Sequence, residues 1–222
     1  MSKINLILLD SSLELIPRDI LSHPAVIVNA KKRGKDPRYM ILDKSLHYSA
    51  MAKLKDKEKR GRPDIVHLSL LNFLYLEDEI KGEVFVHTID GKIISVRNDT
   101  RIPKNYERFV SLVEQLLRYG KVPVDSDKPF MEITSESLGS LKKKYKLAVL
   151  SENGEKVSLK KICELGENWL IGVGAFPHGD FSEEVKINAD VFYSISDRVL
   201  EAHQVICRLS SACLLYLGFL SI

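Results

Sequence analysis

Short apolar runs, each about as long as a buried strand, recur along the chain and alternate with stretches of helical periodicity. The runs that predict strands are 4–10, 24–29, 84–89, 92–96, 130–134, 146–150 and 169–173. The helical stretches are a start at 11–14, then 65–76 behind Pro63, 106–117, 135–142, 158–165 and the C-terminal 199–222. Strands separated by helices favour parallel βαβ units, so the sequence predicts an α/β sheet.

The clearest local signal is a β-hairpin. Two β-rich runs, 84–89 and 92–96, are joined by Asp90 and Gly91, and glycine readily takes the positive φ that a tight turn needs. We expect the hairpin, at about 83–97, to be an insertion on the sheet of a single domain that spans residues 1–222.

The chain is long and apolar enough to bury one sizeable core, since 45% of its 222 residues are apolar. Its net charge of +3 says little about partners. Residues 31–62 differ from the rest, because they carry twelve Lys or Arg against four Asp or Glu. Such a local field can attract a polyanion such as a nucleic acid, and a solvated, flexible lysine-rich loop is the alternative.

Cysteine usage and hydropathy exclude several classes of protein. Cys163, Cys207 and Cys213 are too few for a disulfide framework and lack the spacing of a zinc site, so no metal is expected. Cys207 and Cys213 fall on an apolar helix, where we expect packing residues. The N-terminus lacks the pattern of a signal peptide, and charged residues interrupt 199–222, so we expect a cytoplasmic protein without a membrane span.

A glycine-rich segment, 172–180, directly follows the predicted strand 169–173. In open α/β sheets ligands bind at the carboxyl ends of strands, and glycine lets the backbone approach them closely. The segment has neither the dinucleotide-binding Gly-x-Gly-x-x-Gly spacing nor the Gly-Lys-Ser/Thr of a phosphate-binding loop. A structural turn is therefore an equal alternative. His178 lies here without a partner in the sequence that would make it a base.

Residues 194–200 lead into the C-terminal helix. Ser196 or Asp197 is suited to cap that helix, and the free backbone N–H groups of a helix start could also bind a ligand. His67 and His87 lie within apolar segments, where a hydrogen-bonded core imidazole is the favoured interpretation.

Basic residues that could contact phosphates follow the hairpin. Arg101, Lys104 and Arg108 are spaced by three and four residues, which predicts that they share one side of a helical entry. A solvated helix face is the alternative. Arg62 and Asp64 flank Pro63, and a carboxylate two residues from an arginine can fix the orientation of its guanidinium.

Four of these segments occur in an order and at separations that carry a resemblance. They are Arg62-Pro63-Asp64-Ile65-x-His67, Thr100-Arg101-Ile102-Pro103, Val173-Gly174-Ala175 through Gly179, and Ile195-Ser196 through Leu200. Together they closely resemble the small-subunit ribosomal-RNA pseudouridine N1-methyltransferases, a ribosome-biogenesis family of the SPOUT superfamily. The chain looks like an archaeal form, because it lacks the N-terminal extension of eukaryotic members and has Phe176-Pro177-His178-Gly179-Asp180.

The resemblance implies a fold, a cofactor and site residues. The fold is a SPOUT-type α/β knot, with a C-terminal trefoil knot through which two copies pair as a homodimer. The cofactor is S-adenosylmethionine, held in a bent form by the knot loops. The matching cofactor positions are Leu150, Gly174, Gly179, Ile195, Ser196, Asp197, Arg198, Val199 and Leu200. The RNA-binding positions are Arg62, Arg101, Lys104 and Arg108, with Asp64 bracing Arg62; Lys104 replaces an arginine expected there.

The implied activity is methylation of N1 of a pseudouridine in small-subunit rRNA, with other ribosome assembly factors as further partners. The target base must be splayed out of the RNA, and its N1 proton must leave during transfer. No general base stands out; Asp64 is a candidate, although bracing is its favoured role. Two alternatives remain open: a non-catalytic RNA-binding assembly factor that acts as an RNA chaperone, and a related methyltransferase acting on transfer RNA.

Overall fold

The computed structural model describes residues 3–221, and within them eight strands form one sheet in the order β4-β5-β3-β2-β1-β7-β6-β8. The strands are β1 (Ile4–Ser11), β2 (Lys81–Thr88), β3 (Ile93–Val96), β4 (Lys121–Val122), β5 (Met131–Ile133), β6 (Lys146–Lys156), β7 (Trp169–Gly174) and β8 (Val191–Ser194). All neighbouring pairs among β2, β1, β7, β6 and β8 are parallel. Because parallel strands point the same way, their carboxyl ends meet at one edge of the sheet.

Eight α-helices pack around this sheet in the described chain. They are α1 (Pro24–Arg33), α2 (Lys44–His47), α3 (Pro63–Leu74), α4 (Tyr106–Tyr119), α5 (Leu138–Leu141), α6 (Leu159–Cys163), α7 (Glu183–Asn188) and α8 (Ala202–Tyr216). The largest apolar cluster joins one face of the sheet to α3, α4, α6 and α8, and a second joins the opposite face to α5 and α7. None of the helices in residues 3–221 combines the length and the apolarity needed to cross a bilayer.

Several sequence predictions are confirmed because local signals determine these elements. Strand β1 is buried along its whole length, as expected for a central parallel strand. Helix α3 begins with Pro63, and α4 ends at Gly120, which has a φ of +84°. The hairpin forms between β2 and β3, and Gly91 has a φ of +80°. Its first strand pairs with β1, so the hairpin lies inside the sheet.

The prediction of a strand at 24–29 is wrong, because this segment is the first part of α1. Pro24 occupies the first turn, and the side chain of His23 accepts a hydrogen bond from the N–H of Ala25. Val26 is buried while Val28 is 67% exposed, which is a helical burial pattern. The short apolar run of the segment favours a strand, but the proline in the first turn and the packing of one face stabilise a helix instead.

The predicted starts of two helices are also wrong. No helix begins at 11–14, since Ser11 ends β1 and Leu15 forms a β-bridge with Ile41. The C-terminal helix begins at Ala202, and neither Ser196 nor Asp197 caps it. Its cap is a reciprocal hydrogen-bond pair between Glu201 and Gln204, which satisfies N–H groups that the helix itself cannot.

The cysteines differ from the sequence expectation. Cys163 in α6 and Cys213 in α8 form a disulfide, with their Cα atoms 5.4 Å apart. Cys213 therefore packs in the core as a bonded residue rather than as a free thiol. Cys207 is exposed on α8, so the expectation that it is a packing residue is wrong.

Candidate functional site

A cavity of about 520 Å³ lies at the carboxyl ends of β6, β7 and β8. Its walls come from residues 150–153, 173–181 and 194–205. Cavities of this size hold small organic ligands. Among the nine cofactor positions that the resemblance implied, those that line the cavity are Leu150, Gly174, Gly179, Ile195, Ser196, Arg198, Val199 and Leu200. The remaining one, Asp197, is 80% exposed and pairs with Lys156 outside the cavity, and this pairing lowers its pKa.

An irregularity in β6 forms one wall of the cavity. The pairing of β6 with β8 shifts register between Leu150 and Glu155, so residues 151–153 bulge out and line the cavity. Gly154 allows the chain to resume its pairing with β8 after this bulge. A Cβ atom there would lie 2.6 Å from the backbone N and C atoms of Tyr193. Only glycine permits so close an approach of two backbones.

The loop that follows β7 forms the second wall. A Cβ atom at Gly174 would lie 2.9 Å from the ring of Phe176 and 3.1 Å from the ring of Phe181. These two rings pack edge to face, with centroids 5.5 Å apart. A side chain at position 174 would therefore force these two rings to shift. Gly179 has a φ of +102°, a backbone conformation that favours glycine.

The third wall, residues 194–200, is held by short-range hydrogen bonds. The hydroxyl of Ser194 donates to the carbonyl oxygen of Ser196, at 3.0 Å. The side chain of Ser196 accepts from the N–H of Arg198, at 3.1 Å. This segment is a turn that precedes α8 rather than the first turn of that helix, so its backbone groups remain outside the helical ladder.

Arg62 and Asp64 form the arginine–carboxylate pair that the sequence predicted. Both carboxylate oxygens of Asp64 accept from the Arg62 guanidinium, each at 2.8 Å. This hydrogen bonding, helped by Glu201, raises the pKa of Arg62. Both side chains remain partly exposed, at 39% and 38%. Because both oxygens of Asp64 are engaged, the geometry favours a bracing role over that of a proton acceptor.

The cations of the predicted stripe are arranged differently from the expectation. Helix α4 begins only at Tyr106, with Asn105 as its cap, so Arg101 and Lys104 precede the helix and Arg108 alone lies in it. Both earlier cations instead lie against the ring of Tyr75, at 5.6 Å and 5.2 Å from its centroid.

The stretch that carries these cations runs beside α3. Tyr75, just after α3, donates from its hydroxyl to the carbonyl oxygen of Ile102. The imidazole of His67, in the middle of α3, contacts the carbonyl oxygen of Pro103 at 2.7 Å and stacks on Phe109. The prediction that His67 is a hydrogen-bonded core imidazole is thus confirmed. Sequence reasoning missed Tyr75, because a tyrosine at a helix end gives no signal by itself.

Residues 31–62 are not a flexible loop. They contain the end of α1, all of α2 and several 3₁₀ turns, which pack around a small apolar cluster. Seven of their twelve cations make ion pairs: Arg33 and Lys35 with Glu114, Arg38 with Asp36, Lys44 with Glu58, Lys59 with Asp10, Arg60 with Glu14, and Arg62 with Asp64. Much of the local positive charge is therefore compensated within the fold.

His87 and His178 have different surroundings. His87 is buried, and its Nδ1 accepts from the N–H of Asp10 at 3.2 Å. Its Nε2 makes no hydrogen bond within the described residues, so the expectation of a satisfied core imidazole holds for one nitrogen. His178 is exposed on the loop after β7, where it lines the cavity.

A mixed sheet with five neighbouring parallel strands, and a glycine-lined cavity at their carboxyl edge, defines the class of α/β proteins that bind small ligands. The family described as EMG1/NEP1 methyltransferase matches residues 6–214 of the chain. The chain belongs to this family. The resemblance drawn from the four sequence segments and the predicted α/β fold class are both confirmed, whereas the trefoil knot stays a prediction.

Individual relatives match over nearly the whole chain. A protein of Sulfurisphaera tokodaii named ribosomal RNA small subunit methyltransferase Nep1 is 63% identical, over 98% of this chain and 99% of the relative. One of the same name from Saccharolobus solfataricus is 52% identical, over 97% and 99%. The crystal structure of Archaeoglobus fulgidus Nep1 bound to S-adenosylhomocysteine is 35% identical, with a TM-score of 0.90 over 98% of this chain and 100% of that one.

Proposed function

We propose that this protein transfers a methyl group from S-adenosylmethionine to N1 of a pseudouridine in small-subunit rRNA. The observation that carries the proposal is the glycine-lined cavity at the carboxyl edge of the sheet, whose third wall leads into α8. Arg62 directly precedes α3, and α3 packs against α8. The helix that follows the fixed guanidinium therefore contacts the helix that follows the cavity wall.

The cavity fits the cofactor in size and chemistry. Its volume suits a nucleoside-sized ligand, and residues from 150–153, 173–181 and 194–205 line it. Relatives named for small-subunit rRNA methylation, and one structure bound to S-adenosylhomocysteine, the product left after methyl transfer, support the same assignment. We propose eight of the nine positions implied by the resemblance, all but Asp197, as the cofactor-binding residues: Leu150, Gly174, Gly179, Ile195, Ser196, Arg198, Val199 and Leu200.

The chain's own residues supply positioning. Bound S-adenosylmethionine carries an activated methyl group, so the protein must chiefly place the attacking nitrogen in line behind it. Arg62, held by Asp64, presents a planar fork of donors to the RNA beside the cavity. The new N–C bond forms as the C–S bond breaks, and water is the proposed acceptor of the N1 proton, with Asp64 braced against Arg62.

We propose that Arg62, Arg101, Lys104 and Arg108 bind the rRNA. The stretch 101–104 runs beside α3. Arg62 precedes this helix, and Tyr75, with Arg101 and Lys104 against its ring, follows it. The length of the helix therefore separates Arg62 from the other two cations by about 18 Å. This separation suits several successive phosphates of one strand. The Tyr75 ring lies close to both Arg101 and Lys104 and is 39% exposed, so an unpaired base can stack on it.

We further propose that the chain is a single domain that pairs with a second copy, acts in the cytoplasm and works among other ribosome assembly factors. One continuous sheet supports the single domain. Exposed apolar side chains near the end of α8 support a homodimer, since apolar surface of this kind marks interfaces. They are Tyr216, Phe219 and Leu220.

The decisive experiment is incubation with S-adenosylmethionine labelled on its methyl group and a short rRNA hairpin that contains pseudouridine. We expect label in the pseudouridine nucleoside after digestion, and none in a matched hairpin that contains uridine. Tight cofactor binding without transfer to any RNA would instead favour the chaperone function. Transfer to transfer RNA alone would favour the second alternative.

A further inference from the structure

We infer that Lys59 is a positioning residue that holds the loop after β7 in the shape the cofactor needs, an inference that rests on the proposed function. This loop, residues 175–182, separates the cofactor cavity from a second cavity of about 800 Å³. Residues 178–181 line both cavities. A wall with open space on two sides has few packing neighbours, so its shape depends on a small number of specific contacts.

Lys59 reaches this loop at two points. Its Nζ donates to the carbonyl oxygen of Asp180 at 2.6 Å, and it lies 4.2 Å from the centroid of the Phe176 ring. Its side chain also passes over Gly179, where a Cβ atom would lie 3.4 Å from the lysine Cγ. The lysine side chain is only 18% exposed, while its hydrogen bond to Asp180 lies at the protein surface.

Asp10 fixes the other end of the same loop. Its carboxylate accepts from the N–H of Ser182 at 2.6 Å and from the Ser182 hydroxyl at 2.8 Å, and it pairs with Lys59 at 3.2 Å. Asp10 is buried and has a φ of +47°, a left-handed conformation uncommon for a residue other than glycine. Asp10 and Lys59 thus form one partly buried charged contact that joins β1 to both ends of the loop.

The main chain at Lys59 is itself fixed. Its carbonyl oxygen accepts from the hydroxyl of Ser12, and the next residue, Arg60, forms a two-point ion pair with Glu14. Arg62 follows two residues later. The loop that borders the cofactor and the arginine proposed to meet the RNA are therefore anchored to one short, rigid stretch of chain.

Removal of the Lys59 ammonium should let the loop sample other shapes. Cofactor binding must then order the loop at a cost in conformational entropy, so the affinity for the cofactor falls. The contacts to RNA stay intact. We expect Lys59→Met to weaken binding of S-adenosylhomocysteine about tenfold, the scale of one lost charged hydrogen bond. The KM for S-adenosylmethionine should rise, with the KM for RNA unchanged.

The test compares Lys59→Met with Lys57→Met, which removes the same charge from an exposed lysine two residues away. Titration calorimetry with S-adenosylhomocysteine gives the affinity of each variant, and hydrogen exchange read by mass spectrometry gives the mobility of 175–182 without any cofactor. We expect faster exchange in this loop for Lys59→Met alone. Lys59→Arg, which keeps the charge and the donors, should retain most of the affinity.

Exchange of residues 175–182 at the wild-type rate in Lys59→Met would overturn the inference. An equal loss of affinity in Lys57→Met would also overturn it, since overall charge would then be the cause. The proposed function is tested separately by the wild-type protein. If that protein transferred no methyl group to RNA, the proposed function would fail while the exchange comparison would still decide the role of Lys59.

Discussion

Charged side chains in this protein are mostly fixed by specific partners. Glu114 is 5% exposed and accepts from Arg33 and Lys35, each at 2.6 Å, and from the N–H of Ile41. Such a carboxylate holds α1 against α4. The same principle orients Arg62, whose guanidinium is held by Asp64 rather than left free to rotate. Orientation, more than charge, is what a planar guanidinium contributes to recognition of a phosphate or a base.

Replacement of Arg62 by lysine tests this role of orientation. Lysine keeps the charge but cannot make the two-point contact, so we expect Arg62→Lys to weaken RNA binding about tenfold with cofactor affinity unchanged. Fluorescence anisotropy with a labelled rRNA hairpin measures the first effect and calorimetry the second. The matched control is Arg97→Lys, because Arg97 pairs with Asp99 in the same spacing. RNA affinity equal in the wild type and Arg62→Lys would contradict the assigned contact.

A buried histidine predicts how stability depends on pH. Burial lowers the pKa of His47, an effect reinforced by Arg33 and partly opposed by Asp43. In the unfolded chain the His47 imidazole takes up a proton at about pH 6.5, whereas in the folded protein it does so only at lower pH. The free energy of unfolding therefore decreases as the pH falls through that region. We expect the melting temperature to fall between about pH 7 and pH 5, and to fall less in His47→Asn. If the melting temperatures of the wild type and of His47→Asn fell equally with pH, His47 would not be responsible.

At the scale of elements, sequence reasoning succeeded where a local signal was sufficient. The turn at Asp90 and Gly91, the proline start of α3 and the glycine end of α4 each depend on neighbouring residues. It failed where the outcome depends on distant contacts. The extension of β6 to Lys156 requires pairing with β8. No run of apolar residues predicted this extension.

The same limit applies to the candidate site. The cavity positions followed from the resemblance, not from periodicity, since residues of β6, β7 and β8 meet only in the folded sheet. Lys59 and Asp10 are 49 residues apart and were not predicted as a pair. Lys59 was counted with the cations that attract RNA, whereas the structure turns its charge inward, toward Asp10 and the loop after β7.

The disulfide between α6 and α8 should contribute strongly to stability. Its two cysteines are separated by 50 residues, and closing a loop of this length restricts the unfolded chain by about 4 kcal/mol in the entropic description. We expect Cys213→Ser to lower the midpoint of chemical unfolding, and a reducing agent to lower that of the wild type to a similar value. The control is Cys207→Ser, at an exposed free cysteine, which should leave the midpoint unchanged. Insensitivity of the wild type to reduction would contradict this prediction.

At the scale of the whole molecule, the sheet order separates two tasks. The strands β7, β6 and β8 bring the cavity of about 520 Å³ to one edge, while β3, β5 and β4 extend the sheet in the other direction. Helices α3 and α8 pack on each other across the same face of the sheet. Of the cations proposed to bind RNA, Arg62 precedes α3 and Arg108 lies in α4, whereas the cavity lies where three strands end and α8 begins.

Binding of RNA through this row of cations predicts a dependence on salt. If four cations neutralise phosphates of a single-stranded region, the logarithm of the affinity should fall with the logarithm of salt concentration with a slope of about −3. Arg101→Ala should reduce the slope by about 0.7 and leave cofactor affinity intact. Anisotropy titrations over a range of salt concentrations measure both slopes. A slope unchanged by Arg101→Ala would remove this residue from the proposed contact surface.

The pairing of Cys163 with Cys213 has a practical consequence for biophysical work. The sequence contains three cysteines, so bonding of two leaves Cys207 as the single thiol open to a maleimide dye under non-reducing conditions. The native chain thereby carries a unique attachment point on the outer side of α8, without engineered substitutions. Energy transfer between donor- and acceptor-tagged copies would report the association of two chains in real time.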